Sequence, residues 1–191
     1  MKPTIRVADE RDWDAIAQLN HDTFALELGQ YESNEAGRKT DRLHDTNRYI
    51  VAYVEDELVG MLSITLPSTA PFSTLKRLPS VSEEIRSNLY RTAEIRLLAI
   101  KPEHRGLGVF GQLMVLAIQT CYQHGVDRVL MSAIENKVAL YELMGFRPVG
   151  EPVAEGTAVF IPMLITRQTL EAAPYGRKLA RSVTQAMSHA A

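Results

Sequence analysis

The chain has 191 residues, 46% hydrophobic and 23% charged, with a formal net charge of −2. That balance argues against a disordered or collagen-like chain and against a broad nucleic-acid surface, since neutralising phosphates takes clustered cations. The single cysteine, Cys121, cannot form an intrachain disulfide or build a thiolate metal cluster, and the start MKPTIRVADERDW has no apolar signal core, so a reducing, cytoplasmic setting is expected.

Thr4 to Ala8 reads as a strand, and Asp9 stands at a helix start before Trp13, Ile16, Ala17, Leu19 and Phe24, at broadly helical spacing and ending near Gly29. A polar helix or loop from Glu32 to Asp45 follows. Strands at Tyr49 to Glu55 and Leu58 to Leu66 form a hairpin around Asp56 and Glu57. Pro67 to Arg91, with three prolines and several serines, reads as an insertion holding one short helix from Ser82 to Tyr90. The regular pattern resumes with a strand at Ala93 to Ile100, a glycine turn and an apolar helix from about Gly108 to His124.

Gly106 to Val126 carries no Asp, Glu, Lys or Arg and has about the length of a bilayer span, roughly 20 residues, but Gln112, Gln119, Gln123 and His124 would be stranded in lipid. A buried helix is the expectation, with no membrane span. Arg128 to Ile134 is the next strand, Asn136 to Met144 a short helix stopped by Gly145, and Ala158 to Thr166 the last strand, with Arg147 to Val149 beginning another. The predicted fold class is α/β, a mixed sheet flanked by helices over residues 1–166. Residues 167–191, with Arg167, Arg177, Lys178 and Arg181 against Glu171, form a basic tail or linker suited to a homodimer contact or to a fusion or partner enzyme.

The chemistry concentrates after the strand at Ala93. Arg105-Gly106-Leu107-Gly108-Val109-Phe110-Gly111 leads from a strand into a helix, where glycines let a ligand approach the backbone and the helix start attracts an anion. Neither a Walker A lysine nor a GxGxxG run is present. The stretch resembles the acyl-CoA pyrophosphate loop of the GNAT superfamily of N-acyltransferases, Q/R-x-x-G-x-G/A, with Phe110 where Gly or Ala is usual and Gly111 one place late. Asn136-Lys-Val-Ala-Leu-Tyr-Glu-Leu-Met-Gly-Phe146 is similar to a second motif of that superfamily, its Asn-to-Tyr gap two residues shorter than the common form. More narrowly, Phe24 to Asn47, Pro71 to Pro79 and Ala158 to Met163 resemble a bacterial GNAT domain sometimes joined to an aminotransferase.

The resemblance implies a GNAT-like sheet, acetyl-CoA or another acyl-CoA as co-substrate without a metal, and transfer of the acyl group to a primary amine by direct attack. It places Leu98, Ala99 and Ile100 beside the pantetheine arm, Arg105 to Gly111 at the phosphates, Asn136 near the pantetheine and Tyr141 as acid to the departing thiolate. Glu94 stands where one branch has its glutamate base. Strand alternation puts Glu94, Arg96, Leu98 and Ile100 on one face, so Glu94 is either that base or the ion-pair partner of Arg96. A small amine or amino-acid-like acceptor would meet Glu27, Gln30, Asn34, Asp41, His44 or Asp45, of which Asp41, His44 and Asp45 share a face if their segment is helical. Two alternatives stand beside this reading. One is a long-chain N-acyl amino acid synthase whose insertion roofs an acyl tunnel with Phe72, Leu75, Leu78 and Val81; the other is a non-catalytic acyl-CoA-binding module.

Overall fold

In the computed structural model, residues 2–67, 72–78 and 82–188 are described; Pro71, Pro79 and Val81 lie outside them. The strands are β1 (Thr4–Val7), β2 (Arg48–Val54), β3 (Glu57–Thr65), β4 (Thr92–Ile100), β5 (Arg128–Ile134), β6 (Arg147–Pro148), β7 (Val153–Glu155) and β8 (Ala158–Thr166). The helices are α1 (Trp13–His21), α2 (Glu83–Arg86), α3 (Leu107–Gln123), α4 (Val138–Met144), α5 (Arg167–Ala172) and α6 (Pro174–Ser188). Among the described residues the strands join one sheet in the order β1-β2-β3-β4-β5-β8-β6, with β7 also on β8. This is the mixed α/β architecture read from the sequence.

Every strand pair is antiparallel except β4 with β5. That parallel pair is short. Thr92 to Glu94 meet Arg128 to Leu130, and beyond them the two strands part. A bulge accompanies the split: Met61 faces Ala99 while Ser63 faces Arg96, so Leu97 and Leu98 together oppose Leu62, and Leu97 takes a left-handed φ of 52°. The bulge resets the alternation expected for β4. Ala93, Ile95, Leu98 and Ile100 pack toward α3, whereas Leu97 and Ala99 pack toward α1. Leu98 and Ile100 therefore do not share the face of Glu94 and Arg96, because the extra residue reverses every side chain after it.

One face of the sheet buries Ile50, Leu62, Ile95, Met131 and Met163 beneath α3, α4 and α6, with Leu113 of α3 in the same core. The opposite face is covered in two parts: α1 seats Ile16 and Leu19 on Tyr49 and Met61, while the segment around Phe72 and α2 seats Phe72, Leu78 and Ile85 on Leu130 and Leu164. The insertion thus supplies the cover that β5 and β8 otherwise lack. Its Phe72 and Leu78 pack there, with Leu75 half-buried beside them.

One open alternative is settled and two local expectations change. Residues 32–45 form a loop, closed by a single 3₁₀ turn at His44–Thr46, because side chains there bond to nearby backbone: Asn34 Nδ2 donates to the Arg38 carbonyl and Asp41 Oδ1 accepts from Leu43 N–H. The helix expected over Ser82 to Tyr90 shortens to α2 and a 3₁₀ turn at Leu89–Arg91. The basic tail folds against the sheet's helical layer. Thr166 and Thr169 cap α5 reciprocally, and α6 buries Leu179 and Val183. Gly176 lets α6 cross closely, since a Cβ there would stand 2.2 Å from the Leu170 carbonyl oxygen and 2.3 Å from that of Met144. No described helix is long and apolar enough to cross a membrane.

Candidate active site

The split between β4 and β5 opens into a cavity of about 440 Å³. Its walls are Leu98, Ala99 and Ile100 on β4, Gly106 and Phe110 at the start of α3, Ile134, Asn136 and Lys137 after β5, and Leu140 and Tyr141 on α4. Thr23, Glu27 and Leu28 close it from the far side, where the chain leaves α1 in a wide turn that bonds Leu28 N–H to the Thr23 carbonyl at 3.0 Å. Most of the residues assigned to a donor thioester from the sequence therefore meet around one space.

The start of α3 is open. Phe110 N–H bonds to the Gly106 carbonyl at 3.2 Å, so the N–H groups of Leu107, Gly108 and Val109 precede the first intrahelical bond and remain unpaired among the described residues. A Cβ added to Gly106 or Gly108 would meet nothing within 4 Å, so the protein's own packing does not demand glycine at either position. Val109 and Phe110 turn their side chains into the core. Gly111 serves packing instead: a Cβ there would lie 2.9 Å from the Tyr175 hydroxyl on α6.

Arg105 donates from Nε to the Ile100 carbonyl at 2.9 Å and pairs through Nη2 with Glu27, half-exposed at the cavity mouth. Glu27, expected on the acceptor side, thus stands with the donor-side residues. Lys137 is an exposed cation on the same rim that the sequence reading passed over, although it directly follows Asn136 in the second motif. Tyr141 is buried with its ring between Phe110 and Phe146, and no described residue hydrogen-bonds its hydroxyl. Burial pushes its phenol pKa well above the ordinary value, so the group keeps its proton at neutral pH.

A smaller cavity of about 70 Å³ lies between the end of α1 and the Ser73 segment, lined by Phe24, Gln30, Ser73, Thr74, Arg96, Leu97, Ser132 and Phe160 among others. Its wall is built on Glu94, which is fully buried and accepts from Ser73 N–H at 2.8 Å, Ser73 Oγ at 3.1 Å and Thr74 N–H at 2.5 Å. Arg96 stands 3.9 Å from Glu94 but turns its two terminal nitrogens to Asp41, at 2.9 and 2.8 Å. Burial works to raise the Asp41 pKa, yet the bonds from Arg96, Leu43 N–H and Asn47 outweigh it and hold the carboxyl below its usual range. Glu94, Arg96 and Asp41 sum to one negative charge.

Gln30 reaches this cavity and donates to Glu155 at 2.8 Å, tying the end of α1 to the β7–β8 hairpin. The other acceptor candidates are used elsewhere. His44 stacks edge-on against Trp13, with centroids 4.8 Å apart, and its Nδ1 lies 3.4 Å from the Tyr49 hydroxyl. Asn34 orders its own loop, and Asp45 is exposed. Because the segment is not helical, Asp41, His44 and Asp45 share no helix face.

A profile of the N-acyl amino acid synthase FeeM matches residues 15–167. The chain belongs to the FeeM N-acyl amino acid synthase family. A search of curated protein sequences finds no match. Among solved structures, FeeM from uncultured soil microbes superposes with a TM-score of 0.72 at 14% identity, covering 92% of this chain and 96% of that one. The CoA-dependent acyl-homoserine lactone synthase BjaI, solved with SAM and isopentyl-CoA, gives 0.65 at 18% identity over 89% and 87%. The acyl-homoserine lactone synthase LasI gives 0.67 at 14% identity over 91% and 95%. These neighbours carry the GNAT-like acyltransferase fold, and membership in the FeeM family makes this protein an acyltransferase.

Proposed function

We propose that the protein transfers an acyl group, acetyl being the simplest, from acyl-CoA to the amino group of an amino-acid-like acceptor by direct attack. The observation that carries this reading is the split of β4 from β5 beside the open start of α3. The β4 edge facing the cavity lacks its parallel partner after Glu94, so an extended pantetheine arm can bond to Leu98, Ala99 and Ile100 as a strand would. The N–H groups of Leu107, Gly108 and Val109, with Arg105 and Lys137, supply donors and positive charge for phosphates. A solved neighbour that holds isopentyl-CoA supports a CoA thioester as donor.

The acceptor enters the smaller cavity, where Arg96, Gln30, Thr74 and Ser132 offer polar groups, with Asp41 paired to Arg96 and Glu94 held by Ser73 and Thr74. The ammonium gives up one proton to water and the free amine attacks the thioester carbonyl carbon; as the C–N bond forms and the C–S bond breaks, the nitrogen releases its second proton to water. Tyr141 donates its proton to the departing thiolate and is reprotonated from solvent. Glu94, whose oxygens already hold Ser73 and Thr74, acts as a positioning residue for the acceptor wall.

Wild-type protein mixed with acyl-CoA and a panel of amino acids tests the reading by thiol release. Acceptor-dependent release is expected. Saturable acyl-CoA binding with no release across the panel would leave a binding module and overturn catalysis.

A further inference from the structure

The cavity between β4 and β5, the wedge, shares a partition with the smaller cavity. Thr23 lines the wedge and Phe24 the smaller cavity; on β4 the same division falls between Leu98 and Leu97, and on β5 between Ile134 and Ser132. An amine arriving through the smaller cavity reaches a thioester in the wedge only across this partition, so the reacting carbonyl belongs there. Two hydroxyl side chains line the wedge, Thr23 and Tyr141, and neither hydroxyl has a hydrogen-bond partner among the described residues. Thr23 is only 8% exposed, yet the buried polar atoms that are both unpaired and sealed off are Tyr122 Oη and Asp127 Oδ1. The Thr23 oxygen therefore keeps an opening, and the residue lines the wedge. A polar group so placed calls for a partner.

The fold fixes its position. Thr23 lies in the wide turn Asp22–Glu27, a π-helical form that is rare and recurs at functional sites, and its carbonyl accepts from Leu28 N–H at 3.0 Å. The end of that turn is pinned to the β7–β8 hairpin: Thr157 Oγ1 donates to the Leu28 carbonyl at 3.1 Å, and a Cβ at Gly156 would stand 2.1 Å from the Gly29 carbonyl oxygen.

On the acyl-transfer reading above, we propose that Thr23 is a catalytic residue whose hydroxyl donates a hydrogen bond to the thioester carbonyl oxygen as that oxygen gains negative charge. Tyr141, across the wedge, serves the departing sulfur and leaves the carbonyl oxygen to another donor. Thr23 transfers no proton: its O–H bond stays intact while the carbonyl oxygen gains charge on attack and loses it when the C–S bond breaks. A donor already aimed by the fold stabilises that oxyanion without having to be reoriented during the reaction.

The test reads single-turnover thiol release from the wild type, Thr23→Val and Thr23→Ser, with folded enzyme in excess over acetyl-CoA or octanoyl-CoA, whichever the wild type uses, and one accepted amino acid over a range of concentrations. A rate constant at saturation does not depend on how much of a sample is folded, so a destabilised variant cannot mimic the effect. Thr23→Val keeps the shape and removes the donor; its rate constant at saturating amine should fall about 10²-fold, the ordinary cost of one oxyanion donor, with acyl-CoA affinity and the half-saturating amine concentration unchanged. Thr23→Ser keeps the hydroxyl and should recover at least about tenfold of that loss. An undiminished rate constant in Thr23→Val, a loss that Thr23→Ser does not recover, or a change confined to acyl-CoA affinity or to the half-saturating amine concentration overturns the role of Thr23 while leaving acyl transfer intact. Absence of thiol release from the wild type with both donors overturns the acyl-transfer reading itself, and the role of Thr23 with it.

Discussion

The layer formed by α3 and α4 has two ends, and glycine means opposite things at them. At the wedge, Gly106 and Gly108 face space that no protein atom fills within 4 Å. At the far end, Gly176 brings α6 so close to α4 and α5 that an added Cβ would collide with two carbonyl oxygens. The first pair leaves room for something that is not part of the chain; the second is a joint within the fold. The contrast separates where binding is proposed from where the protein holds together.

The sharpest way to break the contrast is to exchange the consequences. Gly176→Ala should cost about 3 kcal/mol, at the upper end of ordinary overpacking, because backbone rather than a flexible side chain must move; urea unfolding measures it, and an unchanged midpoint would mean that α6 does not dock this way. Tyr141→Phe should lower kcat about 10²-fold with little change in the urea midpoint, since the lost hydroxyl has no partner among the described residues. A near-wild-type rate would remove the phenol from the mechanism.

Gly108→Glu should weaken acyl-CoA binding at least about tenfold, or ~1.4 kcal/mol, by setting a carboxylate where phosphates are proposed, while the fold persists. Undiminished affinity in a titration would place the phosphates elsewhere. Gly108→Ala should raise stability by about 0.5–1 kcal/mol, the opposite sign from Gly176→Ala, because a helical glycine is being replaced in open space. The smallest expected effect is no reaction at all. Cys121 lines a small apolar void beneath α3, is 1% exposed and has its thiol pKa pushed up to about 12 by burial, so an aromatic disulfide reagent should find no thiol in the native protein and one in urea. Ready native reaction would mean that the packed end is open.

The boundaries of β5 and β8 coincide with the apolar runs at Arg128 to Ile134 and Ala158 to Thr166, and α3 differs from its expected start by one residue. Those segments were legible because their backbone needs are met locally and their apolar residues recur with a fixed period. The glycine loop was legible for the same reason. The β4 bulge was not: an extra residue opposite Leu62 is a property of strand pairing, and without it Leu98 and Ile100 fall on the wrong face. Asp41 looked available for an acceptor until Arg96, 55 residues away, took it. Lys137 carried no signal of its own beyond standing next to Asn136.

By itself, the sequence determined the order of β1 to β5 and β8 with α1, α3 and α4 among them, the open glycine turn at the start of α3 and the tyrosine on α4, each of which depends on dihedral freedom, hydrogen bonding and periodicity over a few residues. Only the tertiary structure decided where β4 leaves β5, which carboxylates are already satisfied and what lies behind Tyr141. Those are questions of which distant groups share a desolvated space, and there a buried carboxylate is claimed by whichever donors the fold brings within reach.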